Sequence, residues 1–207
     1  MKDNGALGSS VCGMFWGASS FNHLLEKWDV SNVTNMIGMF YGASSFNRPL
    51  EKWDVSNVTD MENMFSEVES FNQPLNSWDV SSVIIMAALF ESTKDFNQPL
   101  NSWDVSSVTN MSGMFAQAHL FDQPLNLWDV SSVIDMSFMF QAAYEFNQPL
   151  NSWDVSSVTD MSYMFDSASK FNQPISTCVV LEAVIEHIHY IPKDVKGWDV
   201  SSVTNMA

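Results

Sequence analysis

The stretch Phe96-Asn-Gln-Pro-Leu-Asn-Ser-Trp-Asp-Val-Ser-Ser-Val-Thr-Asn-Met-Ser-Gly-Met-Phe-Ala-Gln-Ala-His-Leu120 is one complete period of a repeat. Trp28, Trp53, Trp78, Trp103, Trp128 and Trp153 recur at its length, 25 residues. Phe21, Phe46, Phe71, Phe96, Phe121, Phe146 and Phe171 do the same, as do Phe15, Phe40, Phe65, Phe90, Phe115, Phe140 and Phe165. Self-similarity at a fixed period without insertions is the signature of stacked repeats.

Each part of the unit has a local reading. Asn97-Gln-Pro99 opens with turn chemistry, because Pro fixes φ and removes a donor. Asn101, Trp103 and Val105 alternate with Ser102 and Asp104, which predicts a short strand with Trp and Val on one face. Ser106-Ser107 makes a corner, and Val108 to Met111 is a second extended piece. Met111, Met114, Phe115 and Ala118 sit at offsets that describe one face of a short helix. A unit of this size does not bury its apolar face alone, whereas stacked units do. The expected fold class is an α/β repeat solenoid, a leucine-rich-repeat-like right-handed superhelix of 25-residue coils with short strands and a short helix per coil. Seven coils at the spacing of paired strands, about 4.8 Å, make a rod of about 35 Å.

Residues 1–175 read as about seven such coils, the first degenerate. The register then calls for Trp at 178, where Cys178 stands, and Trp198 restarts the motif 20 residues late. Residues 176–197 share no composition with the repeat, and within them 179–197 read as a degenerate coil, an inserted hairpin or helix, or translated non-coding sequence. Residues 198–207 are a resumed, truncated repeat, so the chain reads as a fragment of a longer array, with neighbouring repeats among its partners.

Columns of the repeat separate core from surface. Trp16, Tyr41, Ser66, Glu91, Ala116, Gln141 and Asp166 share one position; Ser19, Ser44, Glu69, Lys94, His119, Tyr144 and Ser169 share another. Residues so varied are expected to face water. The candidate binding surface drawn from them is Trp16, Tyr41, Glu91, His119, Gln141 and Tyr144.

The unit Phe-Asn-Gln-Pro-Leu-Asn-Ser-Trp-Asp-Val-Ser-Ser-Val-Thr-Asn-Met-Ser-Gly-Met-Phe resembles the BspA-type leucine-rich-repeat surface proteins, in their Trp-Asp-Val variant known from mycoplasma-type surface lipoproteins. The likeness runs over about residues 8–175 and again over 198–207. It implies a leucine-rich-like solenoid, display on the cell surface or outside the cell, and adhesion or protein binding. It implies no enzyme activity and no catalytic residue. The chain departs from that family's usual context in having no signal peptide, anchoring Cys or capping domain.

One column carries chemistry: Asp29, Asp54, Asp79, Asp104, Asp129, Asp154 and Asp199. Like charges one coil apart repel by about 1 kcal/mol in water, and more at lower dielectric, so something compensates. One reading is an Asx-type turn, the carboxylate accepting from backbone N–H groups of Val-Ser-Ser. The other is calcium bridging by Asp54, Asp79, Asp104, Asp129 and Asp154, although one Asp per coil is few for a cation that takes six to eight oxygens. The Trp column reads as a buried ladder, by its shared phase with Val, or as a sugar-stacking platform. The methionines at helical spacing are core filler. His187 and His189 have no third metal ligand nearby, and Asn32, Asn57 and Asn110 begin glycosylation triplets that the repeat generates by itself. No Ser-His-Asp set, phosphate loop or Cys-x-x-Cys occurs, and no cofactor is expected.

Acidic residues outnumber basic ones 24 to 8 among 207, a formal charge of −16. That argues against nucleic acid and anionic lipid, which need clustered Lys and Arg. Cys12 and Cys178 occupy unrelated slots, so no disulfide framework is expected. No apolar run is long enough to span a membrane. The sequence therefore predicts a non-catalytic scaffold for a protein or extracellular-matrix ligand, with a carbohydrate-binding module or a purely structural fragment of a larger array as the alternatives.

Overall fold

In the computed structural model, residues 7–174, 177–178, 198–199, 202 and 204 are described. Consecutive 25-residue units lie side by side in register. Single parallel bridges join Ser10 to Asn35, Asn35 to Asp60, Asp60 to Ile85, and so on to Asp160. The strands among the described residues are β1, Thr177–Cys178, and β2, Trp198–Asp199, which pair in parallel with Thr177 opposite Trp198.

The helix expected over Met111–Ala118 is not formed, and no helix occurs among the described residues. A helix needs every N–H to bond four residues back. Here the N–H groups alternate. Met111, Gly113, Phe115 and Gln117 donate to Asp135, Ser137, Met139 and Gln141 of the next unit at 2.7–2.9 Å. Met114, Ala116 and Ala118 donate three residues back, to Met111, Gly113 and Phe115, at 3.0–3.1 Å. The segment is thus a chain of overlapping β-turns. Two residues per unit are left-handed, here Gly113 (φ +60°) and Gln117 (φ +57°), each third in a turn where φ > 0 is required. Those positions recur through the array, at Gly13 and Gly17, Gly38 and Gly42, Asn63 and Glu67, and on to Tyr163 and Ser167. The apolar offsets still reach one side, because two successive turns place residues at the same intervals as a helix face.

The expected strands around Trp103 and Val108 are likewise reduced to bridges and corners, yet their phase holds. Trp103, Val105 and Val108 are buried while Ser102 and Asp104 are exposed; Asn101, expected to share the Trp face, is exposed. The core is a set of parallel columns. Phe15, Phe40, Phe65, Phe90, Phe115, Phe140 and Phe165 stack at 5.4–5.8 Å, within the range of offset-stacked rings. The second Phe column follows at 5.7–6.1 Å. Each buried indole donates Nε1–H to the carbonyl of a Leu in the preceding unit, as Trp103 does to Leu75 at 2.9 Å and Trp128 to Leu100 at 3.0 Å. A buried N–H is satisfied and one unit is tied to the next by the same bond.

Candidate functional site

The Asp column sits on the exposed side of this ladder. Each carboxylate turns back onto its own chain: Asp104 Oδ1 accepts from the Ser106 N–H at 3.1 Å and from its hydroxyl at 2.7 Å, and Asp29, Asp54, Asp79 and Asp129 repeat both bonds. Asp154 accepts the Ser156 N–H at 3.0 Å. These are Asx turns. The Ser31 hydroxyl, with the backbone bond second, holds Asp29 below the usual carboxylate range, and Ser81 and Ser131 do the same for Asp79 and Asp129. Among the described residues no three His, Cys, Asp or Glu side chains converge on a metal position. His187 and His189 lie outside the described residues, as does the stretch 179–197.

Two further polar columns were not singled out in the sequence. Asn35, Asp60, Asn110, Asp135 and Asp160 each accept the N–H two residues on, at 2.8–3.0 Å. Asn22, Asn47, Asn72, Asn97, Asp122 and Asn147 form a side-chain ladder. The oxygen of each accepts the N–H of the residue one period later; Asn97 accepts from Asp122 at 3.0 Å, and Asp122 from Asn147 at 2.9 Å. From Asn47 onward the following Gln adds a second bond, as Gln123 Nε2 does to Asn97 at 2.9 Å. The signal was the recurrence of one carboxamide per period, which turn chemistry alone does not require.

The candidate binding residues separate into two classes. Trp16 is 59% exposed and stacks on Tyr41 at 4.3 Å, whose hydroxyl donates to Glu67 at 2.6 Å. His119 stacks on Tyr144 at 4.6 Å, and Tyr144 is 43% exposed. Gln141 donates to Asp166 at 3.3 Å. Glu91 is half-buried, and that burial pushes its carboxyl up; the Ser66 hydroxyl at 3.4 Å works against the shift and the charge of Glu67 adds to it. The column of Trp16 does not face water throughout, however. Ser66 and Ala116 are buried, since a short side chain on this packed wall is covered by its neighbours. A third exposed pair was missed: Phe138 and Tyr163 stack at 5.1 Å, at 39% and 44% exposure, in one of the left-handed columns. Their alignment is plain only once the turns replace the helix.

A family described as Mycoplasma protein of unknown function, DUF285, matches residues 9–102 and again 85–190. The chain belongs to this family. The two matches overlap, as they would on a chain of identical units, and the DUF285 pattern takes in the Phe, Trp and Asp columns described above. No curated protein and no solved structure matches the chain. Among the described residues of this DUF285 protein no helix is long and apolar enough to cross a membrane.

Proposed function

We propose that this chain is a non-catalytic binding scaffold whose register-locked units form a solenoid, displayed at the cell surface or outside the cell, that holds a protein or extracellular-matrix ligand on its variable columns. One observation carries the reading. The columns that build the core are nearly uniform, while the exposed positions Trp16–Tyr41, His119–Tyr144 and Phe138–Tyr163 differ in type from unit to unit and present stacked aromatic pairs. Exposed aromatic clusters on a rigid frame are where protein partners gain most of their binding energy. The net charge of −16 favours a basic partner.

A carbohydrate-binding module built on Trp16, Tyr41 and Tyr144 is the second reading, favoured by the exposure of Trp16. A sugar platform uses free ring faces, and here Trp16 and Tyr41 turn one face each toward the other, with 20° between their planes. The test is to present the chain to an array of extracellular and matrix proteins beside a glycan array. Binding to a discrete protein, lost when Trp16, Tyr41 and Tyr144 are replaced by Ser without a change in melting, supports the scaffold. Binding confined to glycans, or a protein signal indifferent to the replacements, overturns it.

A further inference from the structure

Two glycines of one column have the same backbone and different surroundings. Gly38 (φ +54°) and Gly113 (φ +60°) occupy the same place in units 75 residues apart. Over Gly38 lies the indole of Trp16, from the unit before, so close that a Cβ would fall 2.7 Å from its ring. The ring rests on bare backbone and stacks against Tyr41. Over Gly113 nothing lies; a Cβ there would meet only the Ala116 Cβ, at 4.0 Å. The residue in the slot of Trp16, one unit before Gly113, is Glu91, and its carboxylate is drawn back to the Ser66 hydroxyl of the preceding unit. On the other side stands Phe138. One of its faces stacks on Tyr163, and the next residue along the column on its other side is Gly113, which has no side chain. The chain thus contains an occupied aromatic seat at Gly38 and an empty seat of the same backbone at Gly113.

We propose that the notch at Gly113, walled by Phe138 and rimmed by Glu91, receives the aromatic side chain of a partner polypeptide that carries a lysine or arginine beside it. This deepens the scaffold reading and rests on it. Trp16 on Gly38 shows which group fits the seat: a flat ring, laid on a backbone that has no Cβ to lift it. Phe138 offers the second ring that Tyr41 offers Trp16. Glu91 is the nearest rim charge, and a cationic neighbour in the partner would pair with it.

The probe is acetyl-Lys-Trp-Lys-amide with a fluorinated indole, titrated into the full chain by fluorine NMR, which the protein's own tryptophans do not obscure. Saturable binding is expected. Phe138→Ala weakens it about tenfold, the scale of one aromatic pair. Alanine is tolerated there, because Ala88 occupies the same column at φ +51°. Glu91→Trp abolishes it, by seating an indole of the chain's own on Gly113 as Trp16 does on Gly38. Trp16→Ser leaves it unchanged. Absence of a saturable shift, equal affinity for acetyl-Lys-Ala-Lys-amide, or undiminished binding by Glu91→Trp overturns the proposal. So does competition by an oligosaccharide with the same dependence on Phe138, which reassigns the notch to sugars. The Trp16–Tyr41 and His119–Tyr144 pairs lie outside the notch, so failure here and failure of the scaffold reading are separate results.

Discussion

Thr204 donates its backbone N–H to the carbonyl of Thr159 at 2.8 Å, across 45 residues. Every earlier bond of this column spans one period; Thr109 to Ile84 and Thr159 to Ile134 are examples. The resumed motif therefore lies directly on the Thr159 unit, and the 20 extra residues are accommodated between β1 and β2 without occupying that position. Deleting Cys178 to Gly197 joins Thr177 to Trp198 and brings Thr204 to the normal spacing. The expected result is a urea midpoint equal to or above that of the parent, since each correctly joined unit adds an interface term. A variant that unfolds at lower urea or aggregates would show that the deleted run is itself a unit of the array.

Trp103→Ala should cost about 3–5 kcal/mol, the range for a large aromatic removed from a core, and it also deprives the Leu75 carbonyl of its indole donor. Trp16→Ala, at an exposed position, should stay within about 0.5 kcal/mol. Equal midpoints for the two variants in urea would contradict the burial assigned to the Trp column.

Asn97→Ala removes the acceptor of two bonds, from the Asp122 N–H and the Gln123 amide. A half-buried ladder left with unpaired donors should lose about 1–3 kcal/mol. Asn97→Asp keeps the oxygen and should lose less, as unit six already runs with Asp122 in that place. Amide exchange at Asp122 and Asn147 reads this out: Asn97→Ala should speed exchange at Asp122 more than at Asn147. Equal acceleration at both sites would count against a side-chain ladder.

Glu91→Gln should raise the melting temperature at neutral pH. The folded carboxyl is shifted upward, so the stability linked to its proton is present below the unfolded value of about 4.3 and is lost as pH rises through the folded one. The advantage of Gln should accordingly vanish below about pH 4. Asp29, Asp79 and Asp129 have the opposite sign: their contribution is present above about 3.9 and is lost as pH falls through their lowered folded values. A Glu91→Gln advantage that persists in acid would mean that lost packing, and not ionisation, is responsible.

Which side chains are inside was legible in the sequence. Phe96, Trp103, Val105 and Met111 recur without change and are buried. The backbone that carries them was less so. The offsets of Met111, Met114, Phe115 and Ala118 fit a helix face and a pair of four-residue turns equally well, and hydrophobic spacing alone does not separate the two. Gly13, Gly38 and Gly113, with Gly17 and Gly42, were the discriminating residues. Glycine at fixed intervals weakens a helix and suits a left-handed turn position. The exposure of Trp16 and Tyr144 followed from the variability of their columns, whereas Ser66 and Ala116 vary and are buried, because variation in size can be absorbed beneath neighbouring side chains.

The left-handed positions also give the chain a direction of assembly. A non-glycine residue held there costs about 1–2 kcal/mol, and glycine avoids that cost. Gly13, Gly17, Gly38 and Gly42 fill all four such sites of the first two units, while nine of the later sites hold residues such as Asn63, Phe138 and Tyr163. The first two units therefore close against each other with the least local opposition, and they are also the first of the array to leave the ribosome. They are the expected starter onto which later, more strained units are templated one at a time. In pulsed hydrogen exchange during refolding the Phe40 amide should be protected before that of Phe140, and simultaneous protection would mean the array closes without a preferred origin.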